Sequence, residues 1–248
     1  MCENPIETVE TPRLVRRMPS QPSEYSVATS AGALLVHAWV ASTAPPNMVI
    51  VTVHPWAPLG GGEHNTVGYG KALPEQIPGT VVLTFNMRSS SMVWGVLSGH
   101  RSEVAQVKAV CEWAQKMWSN ARLLLLGSSA GAPVAGSALD ATAAAGAIFI
   151  GYTFGRLSSI AFGSHFGGVL RSTKPKFFLM GENDEFTSPT VLQAKVASSK
   201  GKNAMHIFPD VGHFELERSD FDEELSSVIA QWLTKTWPVD TSCSSASG

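Results

Sequence analysis

One stretch constrains the fold more than any other, residues 122–133, which read Arg-Leu-Leu-Leu-Leu-Gly-Ser-Ser-Ala-Gly-Ala-Pro. The apolar run Leu123–Leu126 is typical of a strand buried on both faces in a parallel sheet covered by helices. The segment that follows, Gly127–Gly131, matches the pattern Gly-x-Ser-x-Gly with Ser129 at its centre. Small residues come next, and Pro133 is tolerated in the first turn of a helix. The stretch therefore predicts a strand, a sharp turn and a helix.

The predicted turn indicates that Ser129 is a nucleophile. A serine on a sharp turn between a strand and a helix sits on strained backbone, and its hydroxyl is exposed. Glycines two residues before and two residues after it allow the strand and the helix to approach each other closely. Such a turn is a nucleophile elbow, and this context favours a nucleophile over a serine in an ordinary loop.

Composition excludes several classes of protein. The chain has 248 residues, of which 44% are hydrophobic and 15% are charged, as is typical of a globular protein with a substantial core. The formal net charge of −2 offers no basic surface for nucleic acid and no polybasic stripe for a membrane. No apolar run is long enough to span a bilayer. We therefore expect a small-molecule partner, whereas the oligomeric state is not indicated.

The cysteine content and the two ends of the chain allow predictions about cellular location and domain limits. Three cysteines cannot all pair within one chain, which favours reduced thiols and a cytoplasmic location. Residues 1–22 are polar and interrupted by prolines, so we expect a flexible lead-in and no signal peptide. We expect a single domain over residues 23–238 and a disordered tail over 239–248. The three cysteines are Cys2, Cys111 and Cys243.

Strands and helices alternate from about residue 48 to residue 235. This alternation predicts βαβ units and a mainly parallel sheet with helices on both faces, which is the α/β class. A hairpin precedes it, Ser89–Gly99 is predicted to be a loop, and Gly151–Arg171 receives no definite element. The predicted strands are Tyr25–Ala28, Ala33–Ala41, Met48–Val53, Thr80–Phe85, the leucine run, Ala147–Ile150, Lys176–Met180 and Ala204–Phe208. The predicted helices are Thr66–Leu73, Ser102–Trp118, Ala130–Ala143, Ser188–Val196 and Asp220–Thr234.

A serine nucleophile needs a histidine to take its proton and an acid to orient that histidine. In an α/β architecture with a nucleophile elbow, these groups follow in the order Ser, Asp or Glu, His at the carboxyl ends of successive strands. Asp184 follows the predicted strand Lys176–Met180, and His213 follows the predicted strand Ala204–Phe208. We therefore predict Ser129, Asp184 and His213 as the catalytic group.

Two alternatives for the acid stay open, because Glu182 and Glu185 flank Asp184. Asp140 lies toward the far end of the elbow helix and is interpreted as a surface charge, and Asp210 as a turn residue. The remaining histidines fit less well than His213. His206 is within a strand, His165 lies in the unassigned insert, and His37, His64 and His100 precede the nucleophile.

Acyl transfer also needs donors for the oxyanion that develops on the substrate. One donor is predicted to be the backbone N–H of Ala130, the residue after the nucleophile. The second should come from the loop after Met48–Val53, where Trp56 or Ala57 can donate and the flanking prolines cannot. The Gly60–Gly62 run fits no phosphate-binding pattern, and no Cys/His cluster has metal-ligand spacing. We therefore expect neither a cofactor nor a metal.

The chain resembles the α/β-hydrolase superfamily from about Tyr25 to Trp237, and within it a little-characterised, plant-type subgroup of compact members. That resemblance implies a central sheet of eight strands, with Ser129 as nucleophile, Asp184 as acid and His213 as base. One departure is Ser89–Ser91 after Arg88, where subgroup members often have glycines. The segments that carry the resemblance are His54-Pro55 with the glycine loop, Asn86–Arg88, Gly127–Pro133, Gly151–Gly155, Gly181–Asp184, Glu185–Ser188 and Gly212–Phe214.

The expected function is that of a serine hydrolase acting on a carboxylic ester or similar acyl substrate through an acyl-enzyme. The alternative is a non-catalytic receptor or scaffold in which the same pocket binds a ligand without turnover. In this fold the cap commonly follows the sixth strand, and the short Gly151–Pro175 segment leaves room for only a small one. We expect Trp56, Phe154 and Phe162 to line the substrate pocket, and short acyl groups to be preferred.

Overall fold

The computed structural model describes residues 21–57, 60–88, 100–155 and 158–238. The predicted tail and nearly all of the predicted lead-in fall outside these ranges. The predicted loop Ser89–Gly99 also lies outside the described residues.

An eight-stranded sheet runs through the described chain in the order β1-β2-β4-β3-β5-β6-β7-β8. The first two strands form a hairpin, and β2 also pairs antiparallel with β4, whereas every other pairing is parallel. The predicted mainly parallel sheet of about eight strands is therefore confirmed. The strands are β1 Ser23–Thr29, β2 Gly32–Val40, β3 Met48–Val53, β4 Thr80–Phe85, β5 Arg122–Ser128, β6 Gly146–Ile150, β7 Lys176–Gly181 and β8 Asn203–Phe208.

Helices cover both faces of this sheet. On one face, α1 and α6 pack over a core that includes Leu73 and Ile229, and on the other α2, α3, α4 and α5 pack over a core that includes Val107 and Val169. Central strands such as β3 are buried along their whole length, as their continuous apolar sequences predict. The helices are α1 Val67–Gln76, α2 Arg101–Met117, α3 Gly131–Ala138, α4 Ser158–Arg171, α5 Pro189–Ser198 and α6 Asp222–Thr236.

The helix boundaries differ from the prediction by one to five residues, and two of the differences have a local explanation. Ser102 was expected to cap α2, but the helix begins at Arg101, and Ser102 instead accepts a 3.3 Å hydrogen bond from the side-chain amide of Gln106. The elbow helix α3 was expected to reach Ala143 but ends at Ala138. The Thr142 hydroxyl donates to the carbonyl of Leu139 at 3.3 Å, a local side-chain bond that competes with helix continuation.

The unassigned segment after β6 contains a helix of its own. Ser158–Arg171 forms α4, which packs on α3 and takes up most of the space expected for a cap. His165, expected in a mobile insert, is instead buried within α4, where its Nδ1 lies 2.5 Å from the hydroxyl of Ser137. None of the helices in the described ranges is both long enough and apolar enough to cross a membrane.

Candidate active site

The Ser129 backbone adopts the left-handed conformation that a nucleophile elbow requires. Its φ is 53°, a region that L-residues other than Asn, Asp and Gly rarely occupy. The flanking glycines allow the close contacts that hold the turn. A Cβ on Gly127 would lie 2.6 Å from Cα of Ala132, and one on Gly131 would lie 2.2 Å from the carbonyl oxygen of Val53. The strand–turn–helix predicted around Ser129 is therefore present, with β5 before it and α3 after it.

A chain of two hydrogen bonds links Ser129, His213 and Asp184. Ser129 Oγ lies 2.8 Å from His213 Nε2, and His213 Nδ1 lies 2.6 Å from Asp184 Oδ2. An ionised carboxylate only accepts hydrogen bonds, so Nδ1 carries the proton and Nε2 is free to accept from the serine hydroxyl. Both the imidazole and the carboxylate are 1% exposed, so water does not compete for this pair.

The Asp184 carboxylate is held in place from its other side. Its Oδ1 accepts hydrogen bonds from the backbone N–H groups of Phe186 at 2.9 Å and Thr187 at 2.8 Å. Among the described residues, neither alternative acid reaches the imidazole. Glu182 accepts from the backbone of Asp210, and Glu185 accepts from the backbone N–H of His213 at 3.0 Å. The structure therefore brings Asp184, and not its neighbours, to the ring.

Two backbone N–H groups lie at the pocket beside Ser129, that of Trp56 in the loop after β3 and that of Ala130 directly after the nucleophile. Trp56 and Ala130 line the same pocket as the nucleophile, and neither backbone N–H donates a hydrogen bond to another described residue. His54 fixes this loop, since its Nε2 accepts from the Met87 N–H at 2.9 Å and its Nδ1 donates to the carbonyl of Pro55 at 2.6 Å. Burial lowers the pKa of His54 and so keeps this imidazole neutral, as its two bonds require.

A pocket of about 210 Å³ opens in front of Ser129. Its walls are largely aromatic, and three of the side chains that line it are polar. Phe162 and Trp56 line it as expected, with their rings 5.9 Å apart and edge-on. The lining residues are Pro55, Trp56, Gly61, Ser129, Ala130, Thr153, Ala161, Phe162, Phe186, Phe214 and Glu217.

The expectation that Phe154 lines this pocket is wrong. Its ring is 4% exposed and stacks on Tyr152 with centroids 4.0 Å apart, and it also packs edge-on against Phe166 in the core under α4. Phe154 therefore helps to hold α4 on the sheet. Of the two phenylalanines expected to line the pocket, Phe154 and Phe162, only Phe162 does so.

One charged residue of the pocket was missed by the sequence analysis. Glu217 lies on a 3-10 turn, Phe214–Glu217, that directly follows His213, and its Oε1 is 3.6 Å from His213 Nε2. Burial raises the pKa of Glu217, while His213 and the Ser129 hydroxyl oppose that rise. Its spacing of four residues from His213 was the available signal, but that signal depends on a helical turn in this segment. Within the described ranges, no group of three or more His, Cys, Asp or Glu residues is arranged to hold a metal ion.

Solved structures share this architecture. A protein of Xanthomonas campestris, described as a member of the α/β serine hydrolases without a lid, superimposes with a TM-score of 0.71 at 22% identity, over 90% of this chain and 98% of that one. An α/β serine hydrolase homologue from Coxiella burnetii gives a TM-score of 0.71 at 21% identity, over 88% and 100%. The chain has the α/β-hydrolase fold.

An esterase from Pyrococcus furiosus shares this fold too, with a TM-score of 0.64 at 17% identity, over 93% of this chain and 98% of that one. No protein-family model matches the sequence. A search of curated proteins also found no match. In an α/β-hydrolase fold, the carboxyl ends of the parallel strands carry the functional groups. Here the segments that follow β3, β5, β7 and β8 bring Trp56, Ser129, Asp184 and His213 to that edge.

Proposed function

We propose that the protein is a serine hydrolase that cleaves carboxylic esters or similar acyl bonds. The observation that carries this proposal is the continuous hydrogen-bond chain from Ser129 Oγ through His213 to Asp184, which ends in a buried and doubly anchored carboxylate. The described serine hydrolases and esterases that share the fold are consistent with it. A cytoplasmic location stays a prediction from the cysteine content.

The first half of the reaction is acylation. Ser129 Oγ attacks the carbonyl carbon while His213 Nε2 takes the hydroxyl proton. The negative charge that forms on the carbonyl oxygen is stabilised by the backbone N–H groups of Ala130 and Trp56. Asp184 holds the imidazole in the correct tautomer and stabilises its positive charge. The tetrahedral intermediate then collapses, the bond to the leaving group breaks, and His213 gives that group its proton.

Deacylation repeats the same steps with water as the nucleophile. His213 removes a proton from water, the resulting hydroxide attacks the acyl carbon, and Ser129 leaves with the proton from His213. Dehalogenase and epoxide hydrolase chemistry is not proposed, because both need a carboxylate at the position of Ser129.

A matched pair of serine variants tests the proposal. Ser129→Ala should lower kcat for p-nitrophenyl butyrate by roughly 10³ to 10⁶, the range seen when a nucleophile of this kind is removed. Ser128→Ala removes the neighbouring hydroxyl, which is buried and lines no part of the pocket, and should retain activity within about tenfold. Hydrolysis that survives Ser129→Ala would refute the assignment. A wild-type protein that binds esters without turnover would favour the receptor-type alternative.

A further inference from the structure

One carboxyl oxygen of Glu217, Oε1, is buried beside the reacting atoms without a hydrogen-bond partner among the described residues. This oxygen is inaccessible to solvent, lies 3.6 Å from His213 Nε2, and forms no hydrogen bond within hydrogen-bond distance and angle limits to a residue that the structure describes. A buried polar atom without a partner costs free energy, and a charged one costs more. The reaction proposed above uses Ser129, His213 and Asp184 and leaves this carboxyl without a role. Its position on the pocket wall makes a group of the substrate its natural partner.

The surroundings of Glu217 favour a cationic partner. Four aromatic rings line the same pocket, and no Lys, Arg or His side chain is among its described lining residues. Aromatic faces attract ammonium groups, and a carboxylate attracts them more strongly when water is excluded. An anionic group would be repelled here, and a purely apolar group would leave the carboxyl unpaired. The four rings belong to Trp56, Phe162, Phe186 and Phe214.

The chemistry of the leaving group places it next to Glu217. His213 Nε2 must give its proton to the leaving atom, which therefore has to come within roughly 3 Å of that nitrogen. Glu217 Oε1 is 3.6 Å from the same nitrogen. The substituents on the leaving atom therefore come close to the carboxyl, whichever acyl group occupies the rest of the pocket.

We propose that Glu217 and the aromatic wall form a subsite for a cationic leaving group, so that the preferred substrates are esters of amino alcohols with a tertiary or quaternary ammonium group. This inference rests on the proposed hydrolase function and names its substrate class. The ammonium group supplies a cationic partner for Oε1 of Glu217. It is released with the alcohol when the acyl-enzyme forms.

Several ionisable groups act on this carboxyl. His213 and His64 favour its ionised form, and Asp184 disfavours it. Burial is the largest influence and raises its pKa, and Oε1 has no hydrogen-bond partner among the described residues, so a bound cation stabilises an unfavourable negative charge there. Both esters are therefore compared at one pH, near 7.5, so that the protonation state of Glu217 is the same in each measurement.

A pair of isosteric esters tests the subsite. Butyrylcholine and 3,3-dimethylbutyl butyrate have the same shape and differ by one positive charge. We expect the wild-type kcat/KM to be about tenfold or more higher for the choline ester, where tenfold is equivalent to about 1.4 kcal/mol. In Glu217→Gln the ratio of the two kcat/KM values should fall toward one. Any general change in activity cancels in this ratio.

A matched control carries the same charge change elsewhere. Glu112 is exposed on α2 and lines no part of the pocket, so Glu112→Gln should keep the wild-type ratio. A wild-type ratio near one, or a high ratio that persists in Glu217→Gln, would overturn the subsite while ester hydrolysis itself still supported the proposed function. If the wild-type protein hydrolyses none of the three esters, butyrylcholine, 3,3-dimethylbutyl butyrate and p-nitrophenyl butyrate, the proposed function itself is overturned.

A binding measurement tests the subsite without turnover. Butyrylcholine is titrated calorimetrically into Ser129→Ala and into the double variant Ser129→Ala/Glu217→Gln. The double variant should bind about tenfold more weakly, and thermal melting checks that both proteins are folded. Equal dissociation constants, or no binding by either protein, would refute a cation subsite at Glu217.

Discussion

Replacing Gly131 with alanine would put a methyl group inside the contact between the elbow helix and the central strand. The new Cβ would lie 2.2 Å from the carbonyl oxygen of Val53 and 2.5 Å from that of His54. Both obstacles are backbone atoms, so no side-chain rotation relieves the clash, and α3 would have to move away from β3 by about 1 Å. We expect a cost near the upper end of the overpacking range, about 3 kcal/mol.

The expected decrease in Tm follows from this free-energy cost and the size of the domain. For a domain of 150–250 residues, 1 kcal/mol changes Tm by about 2–4 °C, so Gly131→Ala should lower Tm by roughly 6–12 °C. The same movement would change the spacing between the backbone N–H groups of Ala130 and Trp56, the two proposed oxyanion donors. The kcat/KM for p-nitrophenyl butyrate should therefore fall at least about tenfold. Thermal unfolding and ester hydrolysis measure the two effects independently.

Gly168→Ala is the matched control, because this glycine also lies in a helix, α4. A Cβ there would have one neighbour within 4 Å, the carbonyl oxygen of Gly136 at 3.9 Å, which is an ordinary contact. Alanine should therefore be neutral or stabilise the helix by about 0.5–1 kcal/mol. A Gly131→Ala protein as stable and active as Gly168→Ala would refute the argument that close backbone contact holds the elbow.

Three other predictions concern the acid, the pocket and a buried carboxyl. Asp184→Asn should lower kcat about 10⁴-fold with little loss of stability, because an amide favours the wrong tautomer of His213; a loss below tenfold in ester hydrolysis would contradict this. Butyrate esters should be hydrolysed faster than palmitate esters, with no rate increase above the solubility limit; interfacial activation would show that the small pocket does not limit the acyl group. Burial raises the pKa of Asp222 to about 7 from 3.8. The stability that this group contributes is full below pH 3.8 and is lost as the pH rises through 7. Asp222→Asn should therefore gain stability relative to wild type between pH 5 and pH 8 in urea unfolding, and a constant difference would contradict this.

The strands were the part of the fold that the sequence predicted best. Met48–Val53 and Thr80–Phe85 have the predicted bounds, because a strand buried on both faces needs a continuous apolar run that turn residues interrupt. Helix α4 was not predicted, because glycines interrupt its apolar pattern. The helix packs closely on α3, where a Cβ on Gly136 would lie 3.2 Å from Cβ of Val169, so its formation depends on a partner distant in sequence.

The candidate site was predictable where chain order determines it. Ser129, Asp184 and His213 each follow a strand that the apolar pattern identifies, and parallel strands bring those positions to one edge. Phe154 and Phe162 could not be separated in the same way. Which of two nearby aromatic residues faces the core depends on how α4 begins, and no strand or helix pattern was assigned there. Glu217 was missed because its place beside His213 depends on the 3-10 turn Phe214–Glu217.

The most direct test of the central claim is to locate the adduct of a fluorophosphonate on the native protein. Reaction with the serine hydroxyl requires the base and the oxyanion donors to act together, so the label reports on the assembled group and not on exposure alone. We predict one adduct per chain, mapped by peptide mass spectrometry to Ser129 and absent in both Ser129→Ala and His213→Ala. An adduct on Ser128 or elsewhere, labelling that survives Ser129→Ala, or no reaction of the folded wild-type protein would contradict the assignment of Ser129, His213 and Asp184 as a hydrolytic group.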